Sequence, residues 1–405
     1  MKRLGSIILA LVLLVAGVAP AVAQDGSSQD QPQPLLALLA MVPDNDLVQG
    51  QGWAAVRYAD FQALYTSEGI EDMRTPLLMN LVPLPGMLMR LVAGPNALMY
   101  VFTSIDQMQQ VVGFEWIASV NRSLEYGTPP RTALILDGTF DASAISTALS
   151  ARGFEETDVS GVPVYSRFED GQVSLQDSEP ADPFGGHLGM AARIAVFPGY
   201  LANSSYWDTT KGIIAAAQGD QPSLADNPNY HALADAITAP DGLLIQALFF
   251  DVADLGFLPA DPAAALAGQG AEDPTAGYGP LMPYSLAVLA DRQEGQDQVH
   301  LIGLVYPDAD TAGPAADEVA TRIQAFALPQ QEETLVAHYG AQVSSRVYTS
   351  DATGLAVAVV EVRYPLPADR KDAATGQFIS GGMMYRNWVQ AIMQRAFFVL
   401  AVKEQ

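Results

Sequence analysis

No cysteine occurs in the 405 residues, so no disulfide can hold the fold of this chain. The restriction matters because the chain opens on an export signal. Lys2 and Arg3 form a basic start, Ile7 to Val18 an apolar run, and Ala21-Val22-Ala23 the small residues at which a signal peptidase cuts. The run is shorter than the roughly 18 to 20 apolar residues that span a bilayer, and Pro20 interrupts its end, so residues 1–23 read as a cleaved signal peptide. With no cysteine to carry a lipid, no covalent membrane anchor is expected, and the product is expected in the periplasm or outside the cell. An exported fold without disulfides has to bury a large core. The 382 residues left after cleavage (405 − 23) and a chain that is 49% hydrophobic supply one.

Charge narrows the partners. Losing Lys2 and Arg3 leaves 18 basic against 45 acidic groups, a formal charge of −27 (18 − 45). Such a surface repels nucleic acid and anionic lipid headgroups. Its partner is therefore expected to be a protein, a polymer or an apolar ligand, with no nucleic acid. Arginine outnumbers lysine 16 to 4, as in products of GC-rich bacterial genomes.

Two breaks divide the chain. Residues 24–34, QDGSSQDQPQP, are polar and aperiodic and read as a flexible linker. Residues 259–283 are rich in Ala, Gly and Pro and read as a second linker. This predicts an α+β domain over 35–258 and a second α+β domain over 284–405 that ends in a helix. Thr75 to Val92 is dense in Leu and Met but broken by Pro76, Pro83 and Pro85, which predicts a buried, kinked hairpin or an apolar lid.

Periodicity fills in the elements. Tyr58 to Tyr65 reads as a helix, and Trp116, Ile117, Val120 and Leu124 share one helical face of a segment running from Gly113 to Gly127. A strand at Thr132 to Asp137 leads to a helix from Asp141, its cap, to Gly153, its stop, and to a strand at Val162 to Phe168. Arg193 to Phe197 and Leu201 to Ser205 flank the turn Pro198-Gly199, a hairpin. Helices follow at Trp207 to Gln218 and, capped by Asp226 or Asn227 with Pro228 first, to Ile237. Leu243 to Val252 is an apolar strand. Tyr284 to Ala290 and Gln298 to Tyr306 pair across a polar turn, Asp291 to Asp297, followed by a helix at Ala315 to Phe326. Strands at Val343 to Thr349 and Leu355 to Tyr364 precede a helix at Asn387 to Val402 whose apolar face is broad enough to be docked. Val164-Tyr165-Ser166 and Val347-Tyr348-Thr349, each with a glycine at the same later spacing, point to an internal duplication. The fold class expected is α+β, two related subdomains with mainly antiparallel sheets and packed helices.

The order Gly113-Phe114-Glu115-Trp116-Ile117, Tyr126-Gly127-Thr128-Pro129-Pro130, Gly138-Thr139-Phe140-Asp141, Arg152-Gly153-Phe154, Gly161-Val162-Pro163-Val164-Tyr165 and Ser223-Leu224-Ala225-Asp226-Asn227-Pro228 resembles exported bacterial proteins known only as domains of unknown function. The resemblance covers about residues 113–237 and its motifs are turns and caps. It implies an exported, repeated α+β fold and no particular activity.

No motif in the chain names a reaction. The four histidines, His187, His231, His300 and His338, stand far apart in sequence, without the three- or four-residue spacing of metal helices. His187 alone falls in a loop, Phe184-Gly185-Gly186-His187, that could present it. Asp308, Asp310, Asp317 and Glu318 suggest a calcium loop, but Val319 stands where the bidentate glutamate belongs, and Asp310 reads as a helix cap. No serine elbow and no phosphate-cradling glycine loop are found, so no metal, cofactor or catalytic residue is assigned. The expected function is that of an exported non-catalytic binding or structural protein. The alternatives are an envelope hydrolase, with His187 and the acidic loop Asp177 to Asp182 as its least poor candidates, and a chaperone-like assembly factor using the Met-rich segment and the C-terminal helix as apolar surfaces. N-terminal sequencing of the exported product is expected to read from Gln24; an intact Met1 would make the protein an anchored one.

Overall fold

Long runs of β-branched and aliphatic residues broken by tight turns build a sheet, and the order of those runs sets its topology. The computed structural model describes residues 33–45, 56–69, 90–251, 275–328, 333–367 and 381–403. Residues 1–23, read above as a signal peptide, nearly all of residues 24–34, most of residues 259–283 and nearly all of the Met-rich segment lie outside these residues.

The chain runs α1 (Pro34–Leu39), β1 (Val56–Asp60), α2 (Phe61–Ser67), α3 (Asn96–Val101), α4 (Met108–Val112), α5 (Trp116–Ser119), β2 (Val120–Thr128), β3 (Arg131–Gly138), α6 (Ala142–Ala151), β4 (Glu155–Val159), β5 (Val162–Arg167), β6 (Ala192–Phe197), β7 (Tyr200–Ser204), α7 (Trp207–Gln218), α8 (Pro228–Thr238) and β8 (Leu243–Phe250). It continues through β9 (Ala287–Glu294), β10 (Asp297–Tyr306), α9 (Ala309–Ala325), α10 (Leu335–Tyr339), β11 (Gln342–Thr349), β12 (Ala356–Pro365) and α11 (Met383–Met393). The fold is mixed α+β. Among the described residues twelve strands form one antiparallel sheet in the order β11-β12-β10-β9-β8-β1-β2-β3-β7-β6-β5-β4. Pairing of β8 with β9 carries the sheet across the join between the two sequence regions.

Both faces of the sheet are covered, which is why its central strands read as continuous apolar runs. In β10, Val299, Leu301 and Val305 point into one core cluster, shared with α1, α7 and α8. Ile302, Leu304 and Tyr306 point to the opposite face. On that face the core is divided in two. One cluster joins β3 and β6 to α2, α3, α4, α5 and α6; the other joins β9, β10 and β12 to α9, α10 and α11.

Most local signals hold. Asp141 accepts from Ser143 N and Ala144 N at the start of α6, and Asn227 caps α8 with Pro228 at its first position. Five expectations shift. Tyr58 to Asp60 ends strand β1, and the helix expected from Tyr58 starts only at Phe61, capped by Asp60, because β1 is paired on both sides by β2 and β8. The Gly113 to Gly127 segment makes only the single turn α5 and then β2, because β2 lies between β1 and β3 with both faces covered, and packing there overrides the helical spacing. Helix α9 starts at Ala309 and runs through Pro314, and its cap is Asp308, whose carboxylate accepts from Thr311 N. The polar stretch Asp291 to Asp297 is mostly strand, with the turn confined to Gly295 and Gln296. The C-terminal helix ends at Met393, and its apolar face, with Trp388 and Ile392, is buried against the sheet. Val164-Tyr165 falls on β5, second from one edge, whereas Val347-Tyr348 falls on β11, the other edge itself.

Asp308→Ala is expected to lower the midpoint of chemical denaturation, and Asp310→Ala to lower it much less, because only Asp308 closes the first turn of α9.

Candidate functional site

Two places stand out, one sealed and one open. The sealed one lies on the divided face, in the seam between its two apolar clusters. Leu91 belongs to one cluster and Ala93 to the other, so the chain from Arg90 to Ala93 crosses the seam. There the sheet presents polar residues side by side: Gln246 of β8 lies opposite Asp291 of β9, and Asp291 opposite His300 of β10.

Arg90 grips Asp291 with two parallel bonds, Nε to Oδ2 and Nη2 to Oδ1, each 2.9 Å. Both side chains are fully buried. Gln246 ties the pair to the backbone: its Nε2 donates to Arg90 O at 2.5 Å and to Asp291 Oδ2 at 3.0 Å, while its Oε1 accepts from Ala93 N at 2.9 Å. His300 Nδ1 lies 3.4 Å from Asp291 Oδ1, and its Nε2 is 3.0 Å from the Tyr364 hydroxyl. Gln293 Oε1 accepts from Arg90 Nη1 at 3.3 Å and from Gln298 Nε2, and Gln298 Oε1 accepts from Gly382 N at 2.8 Å. Gly382 has to be glycine: its φ is +72°, and a Cβ would stand 2.8 Å from Arg90 Cγ and 2.9 Å from Asp291 Oδ2. Tyr385 and Trp388 of α11 close the site over the imidazole.

Burial by itself would raise the Asp291 carboxyl, but the Arg90 guanidinium and His300 outweigh it and hold the carboxyl well below the ordinary carboxylate range. Burial, and then the Asp291 charge, push the Tyr364 phenol up. Carboxylate, imidazole and phenol thus stand in a row, as a proton relay would need. Here the row has no exposed end: Asp291 and His300 are each 0% exposed and Tyr364 is buried beneath α11. The arrangement keeps an ion pair intact and fixes the backbone at Arg90 and Gly382.

The open place is built around His187. The loop does present it, half-buried, with its ring stacked on Tyr100 of α3 at 4.3 Å between centroids and 17° between planes. Neither ring nitrogen has a hydrogen-bond partner. Burial lowers the imidazole's pKa against the opposing pull of Asp182, which favours the neutral ring. Around the stack, Met99 is 60% exposed, Tyr100 57% and Leu188 47%. Val173 and Leu175, also exposed, are held beside it, since Val173 bridges Met190 and Ser174 N donates to Gly189 O. Of the eight large exposed hydrophobic side chains among the described residues, five lie here. A concentration of this kind marks a contact surface.

The acidic loop does not arm His187. Asp182 accepts from Arg152 at 2.7 Å and from Phe184 N at 2.8 Å, and Asp177 pairs with Arg167 at 2.6 Å. His231 packs against Ala225 O on α8, and His338 sits exposed beside Glu333. Asp308, Asp310, Asp317 and Glu318 lie along α9, where Asp317 bonds Ser345 and Glu318 pairs with Arg322. Among the described residues no group of three or more His, Asp or Glu side chains could hold a metal ion, and no helix is long and apolar enough to cross a membrane. Sequence reading missed Arg90, Asp291, Gln246 and Tyr100. The one available signal was that pairing the hairpin around Gly295 sets Asp291 opposite His300.

No family model matches the chain, and no curated protein is similar to it. Among solved structures it is similar to crystal form III of TP0453, at 7% identity and a TM-score of 0.33, covering 83% of this chain and 95% of that one. Crystal form I of TP0453 matches at 7% identity and a TM-score of 0.32, over 83% and 94% of the two chains. Likeness at this level assigns neither a fold family nor a site.

Arg90→Met is expected to cost about 3–5 kcal/mol in denaturant unfolding, because it leaves Asp291 buried without its counter-charge, and the double variant Arg90→Met with Asp291→Leu should recover much of the loss. The acid side follows from the depressed carboxyl. Its contribution is fully present above the unfolded value of about 3.9 and is lost only as pH falls through the lower folded value, so acid unfolding of Arg90→Met should start at higher pH than in the parent.

Proposed function

We propose that the chain is an exported, non-catalytic binding protein that takes an apolar ligand at the Tyr100–His187 surface. The observation that carries this reading is the clustering of the exposed Met99, Tyr100, Val173, Leu175 and Leu188 around the Tyr100–His187 ring stack. Apolar side chains supply the contact area, and because both imidazole nitrogens are buried within the stack, the ligand is held by apolar contact. Export rests on the basic, apolar and small-residue sequence of residues 1–23. The formal charge of −27 after cleavage (18 − 45) keeps such a protein soluble outside the cell.

The two parts of the chain are, on this reading, related subdomains. A hairpin, a helix and a second hairpin occur as β2-β3-α6-β4-β5 and again as β9-β10-α9-β11-β12. With the β6-β7 hairpin set aside as an insertion, the spatial orders β3-β5-β4 and β10-β12-β11 correspond. The Val-Tyr likeness lends this no support, because its two copies sit on strands that do not correspond.

Native mass spectrometry of the exported protein should show a non-covalent adduct, and the neutral dye Nile red should brighten on the protein. Tyr100→Ala with Leu188→Ser should lose both without losing stability, since both side chains are exposed. A bare mass together with dye fluorescence unchanged by the double variant would overturn the reading.

A further inference from the structure

The two edges of the sheet are built differently. At one edge, β4 reads Glu-Glu-Thr-Asp-Val, with Glu155, Glu156 and Asp158 all exposed. Three carboxylates in five residues are a guard against pairing with another strand. At the other edge, β11 reads Gln-Val-Ser-Ser-Arg-Val-Tyr-Thr, eight residues with no proline, no glycine and no acid. None of the eight is buried, and Val347 ranks among the large exposed hydrophobics. Among the described residues β11 pairs with β12 on one side and with no strand on the other. That leaves about 26 Å of extended backbone, at roughly 3.3 Å per residue, with hydrogen-bonding groups facing outward.

Carboxylates frame this acid-free edge on both faces. On the α9 face, the exposed Asp317 accepts from Ser345 Oγ at 2.7 Å. On the other face, the Tyr348 phenol is pushed up by burial and then by the charges of Asp235 and Asp351. The cation of the strand, Arg346, turns inward and donates to Ala236 O at 3.4 Å. An incoming strand therefore meets free backbone groups flanked by negative charge, in a molecule that is itself strongly acidic.

We propose that β11 is a docking edge that takes up an extended, basic segment of a partner protein by strand addition. Backbone hydrogen bonds give the contact its affinity, and Lys or Arg side chains of the segment meet the exposed Asp317 on one face and the exposed Asp351 on the other. A second copy of this chain would bring its own Asp317 against the first, a like-charge contact at the centre of the pairing.

The probe is a fluorescein-labelled peptide of four Lys-Val repeats, with a Glu-Val peptide as control, titrated against the mature protein by fluorescence anisotropy. The Lys-Val peptide is expected to bind and to slow amide exchange specifically over 342–349, and the Glu-Val peptide to do neither. Asp317→Asn with Asp351→Asn should weaken binding on the order of tenfold. Val347→Pro should abolish it, whereas Val347→Thr should retain it; if Val347→Pro fails to fold, the exchange pattern of the parent decides. Binding with no protection of β11, or protection elsewhere, would overturn the proposal. So would a dimer in analytical ultracentrifugation whose β11 amides are protected without peptide. Because the Tyr100–Leu188 double variant leaves β11 intact, it should bind the Lys-Val peptide as the parent does, which separates this edge from the apolar surface.

Discussion

The buried pair Arg90–Asp291 is the interaction on which the two apolar clusters of the divided face depend. A carboxylate in the middle of a twelve-stranded sheet is untenable alone, since burial drives it toward its neutral form. It stays ionised because a guanidinium from a segment 201 residues earlier in the chain meets both of its oxygens. The partners of that guanidinium then fix everything near it: Gln246 orients the backbone at Arg90 and Ala93, Gln293 and Gln298 carry the network along the hairpin, and Gly382 admits the start of α11. One bidentate contact thus ties together β8, β9, β10, the entry into α11 and the chain before α3.

A purely apolar seam would serve stability as well or better, because desolvating two charges offsets most of their attraction. What the polar seam adds is register. An apolar β9 could slide against β10 by two residues and still bury its face, but Asp291 has its Arg90, His300 and Gln246 contacts at only one alignment. In a cysteine-free chain this is the means by which a broad sheet is held to one pairing.

What could be read from the sequence was local. The turn at Pro198-Gly199, the Asp141 cap and the Asn227-Pro228 start act through neighbouring residues, so their pattern is complete within a few positions. The failures were of another kind. Strand β4 went unseen because an exposed, charged edge carries no apolar alternation. The stretch after Ala290 read as a turn because its charges looked solvated, when the counter-charge lies 201 residues away. Strand β2 passed for a helix because a strand covered on both faces loses its period of two, leaving Trp116, Ile117, Val120 and Leu124 free to fit a helical face. The open site was half legible: the glycines around His187 announced a presented loop, but Tyr100, which stacks on it, comes from a helix 87 residues earlier.

A sealed seam constrains where recognition can happen. Chemistry at Asp291 and His300 would require lifting α11, with Trp388, Ile392 and the chain end at Val399 and Leu400, off the sheet. That motion would strip Met384, Tyr385, Trp388, Val389 and Ile392 from one core cluster, so the row of carboxylate, imidazole and phenol is better suited to holding the sheet than to meeting a substrate. Contact with other molecules is thereby pushed to the periphery, where two features differ from the acidic surface around them. One is the apolar group of side chains about His187, beside the strands near β4. The other is the acid-free edge β11. The His187 loop joins β5 to β6 near one end of the sheet and β11 is the edge at the other, so an occupant of either leaves the other free.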